Sequence, residues 1–199
     1  MSASPAGYNL TLPPGWERIP VRDGSDAAIR DILDRAFEGL PADKYGPFRR
    51  ELAAGLAQHV KEAQQAHGLD VYLPVGGIRG LPVAASFAVA HLPPGGPGEE
   101  EPVAVLAEVA DGFAGATTTE VAETPALRID RLVAADPGRQ HNVDLPTRRV
   151  NYVVPVPAND GWLLVSFSVA IDESAAEGLA DALVELFDAI VSTLRWRTG

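Results

Sequence analysis

The clearest pattern of apolar and polar positions lies at the C-terminal end of the chain. Ser174 and Glu177 are spaced as a helix-capping box, and apolar residues then recur every three or four positions as far as Leu194. Acidic residues follow the opposite side, and Arg195 and Arg197 suit the negative end of a helix. This pattern predicts a long C-terminal helix that packs on a sheet.

Two more helical patterns occur near the N-terminus. The first is predicted to begin with Ser25 as its cap, to bury Ile29, Ile32 and Leu33, and to stop at Pro41. The second is predicted to begin at Pro47, with Leu52, Leu56, Val60 and Ala63 on one face, and to end at Gly68. Together they form an N-terminal helical pair.

Between these helices the period changes from about four to two, which is typical of strands. Two hairpins are predicted, the second closed by an Asn-Asp-Gly turn. The segment 103–112 is ambiguous, and we favour a helix over 102–113. The expected strands are Tyr8–Leu12, Trp16–Val21, Leu69–Val75, Pro82–His91, Thr117–Glu123, Ala126–Ala134, Arg148–Val156 and Trp162–Ile171. The order predicts an α+β fold, an α/β/α sandwich with a mainly antiparallel central sheet.

The length fits one domain over residues 1–199, because domains usually hold about 100–200 residues. The apolar fraction of 46% and the charged fraction of 22% are ordinary for a globular protein. Residues 1–7 are expected to be disordered. Residues 92–102, rich in proline, glycine and glutamate, are expected to form an exposed loop.

Charge narrows the classes of partner. The formal net charge is −11, from 27 acidic and 16 basic residues, and no basic run offsets it. Such a surface repels phosphate backbones, so we expect no nucleic-acid binding. The chain contains no cysteine, no secretory signal pattern and no apolar run of about 18 residues, so we predict a cytoplasmic location without membrane insertion.

Three short segments carry a resemblance to a known family. They are the opening Leu12–Trp16, the segment Val121–Ile129, and Val150–Pro155 together with the apolar strand and helix that follow. With the order of elements, they make the chain similar to the PsbP-like α/β/α sandwich proteins of actinobacteria, which include LpqN-type proteins and Eag chaperones. The resemblance implies an accessory, chaperone or partner-binding role, and it supplies no catalytic motif.

The sequence contains few patterns that indicate catalysis, metal binding or phosphate binding. The four histidines (His59, His67, His91 and His141) lack the spacing that would aim two of them at one metal ion. No Gly-x-Ser-x-Gly motif is present, and Gly76–Gly80 leads into a strand, so we interpret it as a hairpin turn and not as a phosphate loop. We therefore predict no cofactor, no metal and no catalytic residue.

The most suggestive polar group is a set of four arginines on two neighbouring predicted hairpins: Arg128, Arg131, Arg148 and Arg149. Strand alternation can place Arg128 and Arg148 on one side of the sheet, where guanidinium groups bind a carboxylate or an acidic peptide. The alternative, which we favour, is pairing with the protein's own acids, such as Asp130 or Asp144. The three tryptophans have a similar choice between a ligand platform and core packing, and core packing is favoured.

Three functions remain open on the sequence. The favoured one is a non-catalytic protein-binding, chaperone-like or accessory module, linked to a bacterial secretion or regulatory system, whose partner is another protein. The second is a small hydrolase or isomerase with a site of scattered carboxylates and arginines. The third is a structural subunit of a homo-oligomer. An exposed apolar surface favours the first, and strongly shifted titratable groups in a deep pocket favour the second.

Overall fold

The structure is a computed structural model that describes residues 5–75, 83–93, 106, 112, 114–135, 145–159, 161–171 and 178–198. The chain divides into two compact units. One consists of Pro14–Ala90, and the other consists of Met1–Pro13 together with His91–Gly199. Each unit is described by itself, and a single domain over residues 1–199 stays a prediction.

The unit Pro14–Ala90 combines a helical hairpin with three antiparallel strands. The elements are β2 (Trp16–Pro20), α1 (Ser25–Ala36), α2 (Ala42–Gln65), β3 (Gly68–Pro74) and β4 (Ala85–Leu92). Strand β3 pairs with β2 on one side and with β4 on the other. The predicted N-terminal helical pair is confirmed.

Apolar side chains of α1 and α2 close the core of this unit against the strands. Ile19 and Val21 are completely buried, and Ile29, Ile32 and Leu33 of α1 pack on them as their spacing predicted. A second group is aromatic, in which the Phe87 ring stacks on Tyr72 with centroids 4.4 Å apart and contacts Trp16 at 5.5 Å. Trp16 is therefore a core residue.

Both helices begin elsewhere than the sequence predicted. Gly24, and not Ser25, precedes α1, since its left-handed φ of 85° ends the preceding turn and its carbonyl accepts the N–H of Ala28 at 3.0 Å. The helix ends at Ala36, well before Pro41. Helix α2 begins at Ala42, and Pro47 is its sixth residue, where a proline leaves the carbonyl of Asp43 without its helical N–H partner.

Among its described residues, the other unit contains six strands and one long helix. They are β1 (Gly7–Asn9), β5 (Ala116–Val121), β6 (Thr124–Val133), β7 (Thr147–Pro155), β8 (Trp162–Ala170), α3 (Leu179–Ser192) and β9 (Arg195–Arg197). Four of the strands form an antiparallel run in the order β8-β7-β6-β5. A separate two-stranded pair, β1 with β9, joins residues near the two ends of the chain. Both predicted hairpins, β5–β6 and β7–β8, are confirmed.

Helix α3 packs on the sheet through Phe187, which is 1% exposed. Its ring stacks on Phe167 of β8 with centroids 4.9 Å apart and meets the edge of Tyr152 of β7 at 5.8 Å. The C-terminal end was predicted wrongly, because Arg195 and Arg197 lie on strand β9. Arg195 still neutralises the helix end, since its Nη1 donates to the carbonyls of Ser192 and Leu194.

All the strand pairs described above run antiparallel, and in each unit helices pack on strands, α1 on β2, α2 on β3 and α3 on β8, so the α+β sandwich class is confirmed. The capping box Ser174–Glu177, the turn Gly76–Gly80, most of the loop 92–102, Asp144 and all but two residues of the segment 102–113 lie outside the described residues. Within the described ranges, no helix is long and apolar enough to cross a membrane. The cytoplasmic location stays a prediction.

Candidate functional site

Strand alternation divides the four predicted arginines between the two faces of the sheet. Arg128 pairs in register with Tyr152, and both Arg128 and Arg148 face α3. Arg131 and Arg149 lie directly opposite each other across β6 and β7, on the reverse face. The structure therefore brings together Arg128 and Arg148 on one side and Arg131 and Arg149 on the other.

Arg128 and Arg148 are held by carboxylates of the same chain. Nε and Nη2 of Arg128 each donate to the Asp188 carboxylate at 3.1 Å. Nε and Nη2 of Arg148 donate to Asp130 at 3.0 and 2.9 Å, and Nη1 donates to Asp181. Two-pronged pairs of this kind are among the strongest polar contacts in proteins. Each guanidinium thus joins the sheet to α3, Arg128 through Asp188 and Arg148 through Asp181.

Asp130 lies at the centre of this network. Besides both prongs of Arg148, its Oδ2 accepts Nη2 of Arg128 at 3.2 Å. The hydrogen bonds from Arg148 lower the pKa of Asp130, although its partial burial acts in the opposite direction. One carboxylate is therefore shared by two cations, and it is held in the charged form.

Tyr152 completes the network. Its hydroxyl donates to Oδ1 of Asp188 at 2.8 Å. Burial, followed by this hydrogen bond, raises the pKa of Tyr152, while the nearby Arg128 acts against the rise. Burial is the largest single effect on the pKa of Arg128 and lowers it, but the hydrogen bond and charge of Asp188, together with the charges of Tyr152 and Asp130, raise the value overall. At neutral pH the tyrosine is neutral, and both arginines are charged and paired.

The reverse face is different. Arg131 and Arg149 make no hydrogen bond or ion pair in the described part of the chain, although like charges directly opposite each other on a sheet are unfavourable. Arg131 is exposed and Arg149 is half-buried. That an anion or a partner binds the four arginines stays a prediction.

Sequence reasoning missed a groove between α1 and α2. Its volume is about 610 Å³, it is open along its length, and it is lined by Asp26, Ile29, Arg30, Leu33, Ala42, Gly46, Arg49, Arg50, Ala53, Ala54 and Ala57. The repeated small residues of α2 were visible in the sequence. Their meaning was not, because a groove depends on how closely two helices approach.

Across the described residues, no group of three or more histidine, aspartate or glutamate side chains is arranged to hold a metal ion. Ser166, on β8, donates its hydroxyl to Asn151 at 2.6 Å, which is a structural contact inside the sheet. Neither observation adds a catalytic group to the arginine network.

Comparisons with known proteins show likeness of fold at low identity. The sequence matches no protein-family model and no curated protein. Among solved structures, a Saccharomyces cerevisiae Ran-binding protein, Mog1p, is 11% identical with a TM-score of 0.45, over 96% of this chain and 91% of that one. LpqN of Mycobacterium tuberculosis, involved in cell envelope biogenesis, is 10% identical with a TM-score of 0.42, over 96% and 84%. At this level neither likeness assigns a function, and membership of the LpqN-type proteins stays a prediction.

Proposed function

We propose that this chain is a non-catalytic accessory module that binds another protein through the α1–α2 hairpin. The observation that carries the proposal is a group of exposed apolar side chains on that hairpin, Leu40, Phe48 and Leu52, which are 44%, 54% and 37% exposed. Phe48 and Leu52 lie one turn apart on α2, and therefore on the same side of the helix. A link to a bacterial secretion or regulatory system rests on the sequence resemblance alone.

The burial of α2 supports this choice of surface. Of its 24 residues, only Val60 is fully buried, and the first half of the helix buries none. A helix of that length normally places a continuous apolar stripe in the core. The Phe48 ring contacts Phe37, with ring centroids 6.1 Å apart, and more than half of Phe48 still remains exposed.

The contribution of this surface to binding is modest for each side chain. Full burial of a leucine or phenylalanine is worth about 1.5–3 kcal/mol, so covering the exposed parts of Phe48 and Leu52 contributes about 1.4–2.7 kcal/mol in total. Aromatic residues such as Phe48 are enriched in the buried centres of protein interfaces. Replacing both residues should therefore weaken the binding of a partner markedly without unfolding the chain.

The arginine network supports a structural and not a catalytic role for the sheet face under α3. Its guanidinium and carboxylate groups satisfy one another, and burial together with the bond to Asp188 raises the pKa of Tyr152 and keeps it neutral. A catalytic site of scattered carboxylates and arginines would require groups free to meet a substrate. In the part of the chain that the structure describes, the groups with shifted pKa values all belong to this closed network.

The test compares affinity capture by the wild type, the double variant F48S/L52S and the control L132S, in extracts of the native host. Leu132, on β6, is 67% exposed and provides a matched loss of apolar surface elsewhere. The wild type and L132S should enrich the same protein, and F48S/L52S should lose it while keeping the wild-type circular dichroism spectrum. Equal enrichment by all three forms would refute the proposal, as would enrichment of further copies of this chain alone.

A further inference from the structure

The groove between α1 and α2 has an apolar floor and basic walls. Ala53, Ala54 and Ala57 of α2 provide apolar surface above the buried side chains of Ile29 and Leu33. Together with Gly46 they are small enough for another backbone to come close. From Ala42 to Ala57 the groove follows α2 for about 22 Å, at a rise of 1.5 Å per residue. This length matches four turns of a second helix.

The charge of the groove is opposite to that of the whole chain. Three arginines line it, Arg30 from α1 and Arg49 and Arg50 from α2, against one carboxylate, Asp26, while the net charge of the chain is −11. Arg49 is paired with Asp34. In the described part of the chain, Arg30 and Arg50 make no ion pair or hydrogen bond. Two cations from two different helices thus remain available to an anionic ligand.

We propose that the groove between α1 and α2 binds an acidic amphipathic helix of a partner protein, with its apolar side on Ala53, Ala54 and Ala57 and its carboxylates on Arg30 and Arg50. The inference rests on the proposed function, and it names the chemistry of the partner. An open groove suits a helix, because a helix keeps its polar side in water, whereas a fatty-acid chain requires enclosure. Guanidinium groups on both walls select carboxylates over amines.

The experiment uses a phage-displayed library of 16-residue helical peptides. Leucine or alanine is fixed at helical spacing, and the flanking positions vary equally among glutamate, glutamine and lysine. The immobilised full chain is the wild type, R30Q/R50Q, or the control R131Q/R149Q. The control removes two other arginines that have no partner among the described residues, and so makes the same change in net charge. Anisotropy of the most enriched peptide then gives dissociation constants for all three forms.

The wild type and R131Q/R149Q should enrich glutamate at the flanking positions, and R30Q/R50Q should not. The selected peptide should bind R30Q/R50Q at least about tenfold more weakly, as expected for the loss of a charged hydrogen bond. Higher salt should reduce the difference. Enrichment of no peptide, equal enrichment of lysine, or a loss confined to R131Q/R149Q would overturn the inference. So would displacement of the peptide from the wild type by oleate, which would assign the groove to a lipid.

The capture experiment separates this inference from the proposed function. If R30Q/R50Q still captures the partner that F48S/L52S loses, and the library gives no acidic helix, the hairpin binds a protein but the groove does not hold a helix of this chemistry. If F48S/L52S captures as well as the wild type does, the proposed function itself fails, whatever the library selects.

Discussion

Replacing Asp130 with asparagine tests the arginine network most sharply. The carboxylate accepts hydrogen bonds from Arg148 at 2.9 and 3.0 Å and from Arg128 at 3.2 Å. Asparagine keeps the shape, but it loses the charge and turns an N–H group toward one of the guanidiniums. Hydrogen bonds to charged groups contribute about 1.5–3 kcal/mol, whereas breaking a fully buried pair costs about 3–5 kcal/mol. The side chain of Asp130 is 22% exposed, so we expect a loss of about 2–3 kcal/mol.

Urea unfolding at pH 7 measures this loss, and a matched exposed pair provides the control. Asp34 pairs with Arg49, and its side chain is 59% exposed. Exposed pairs contribute about 0–1 kcal/mol, so D34N should lose less than about 1 kcal/mol. Comparison of the two variants separates the shared, half-buried carboxylate from an ordinary surface ion pair.

Acid should remove the difference between the wild type and D130N. The pKa of Asp130 is lowered in the folded chain, so the unfolded carboxyl, with a pKa of about 3.9, takes up its proton first as the pH falls. The stability due to Asp130 is complete above that value, and it is lost as the pH falls through the folded pKa. A loss below about 0.5 kcal/mol at pH 7, or a difference between the two forms that stays constant down to pH 3, would contradict the network.

Three further changes test the fold. Phe187→Ala should lower the free energy of unfolding by about 3–5 kcal/mol, because the ring is buried against Phe167, and a loss under about 1 kcal/mol in urea would show that α3 does not pack there. Tyr152→Phe should have a lower free energy of unfolding than the wild type at pH 8. The difference should shrink above about pH 10, because the unfolded tyrosine ionises there while its raised pKa keeps the folded one neutral. A difference that does not change with pH would disprove the bond to Asp188. Gly115→Ala should destabilise more than Gly39→Ala in thermal melts, because both have positive φ but only the former would place a Cβ 2.2 Å from a backbone oxygen; equal losses would refute this.

The periodicity of the sequence predicted the two C-terminal hairpins and the apolar side of α3 closely. It did so because alternation at two and at three to four residues is what the cores of strands and helices require. Val165 and Phe167, on β8, point inward at a spacing of two, and Leu183, Phe187 and Ile190 point inward at helical spacing. Packing here follows directly from local pattern.

The helix ends were predicted less well, because they depend on backbone geometry and not on side-chain chemistry. Ser25 is a good capping residue, yet Gly24 precedes the helix with a left-handed backbone that serine adopts less easily. Arg195 and Arg197 suit a helix end, yet β9 forms there because it pairs with β1 near the start of the chain. A pairing between residues so distant in sequence leaves no local signal.

The candidate sites show the same limit. Alternation placed Arg128 and Arg148 on one face, and the contact with Asp130 follows from their register. The partnership with Asp181 and Asp188 does not, because it depends on where α3 crosses the sheet. The groove at Arg30 and Arg50 depends likewise on the approach of two helices. Local pattern specifies which residues face inward, and tertiary packing decides which of the others meet.

Hydrogen exchange of the captured complex tests the central claim most directly. The wild-type chain is compared alone and with the partner that it enriches from the native host. Binding through the α1–α2 hairpin predicts slower exchange of the amides of residues 25–57 in the complex, with residues 124–155 unchanged. Slowed exchange confined to residues 124–155, with the hairpin exchanging as it does in the free chain, would contradict the account.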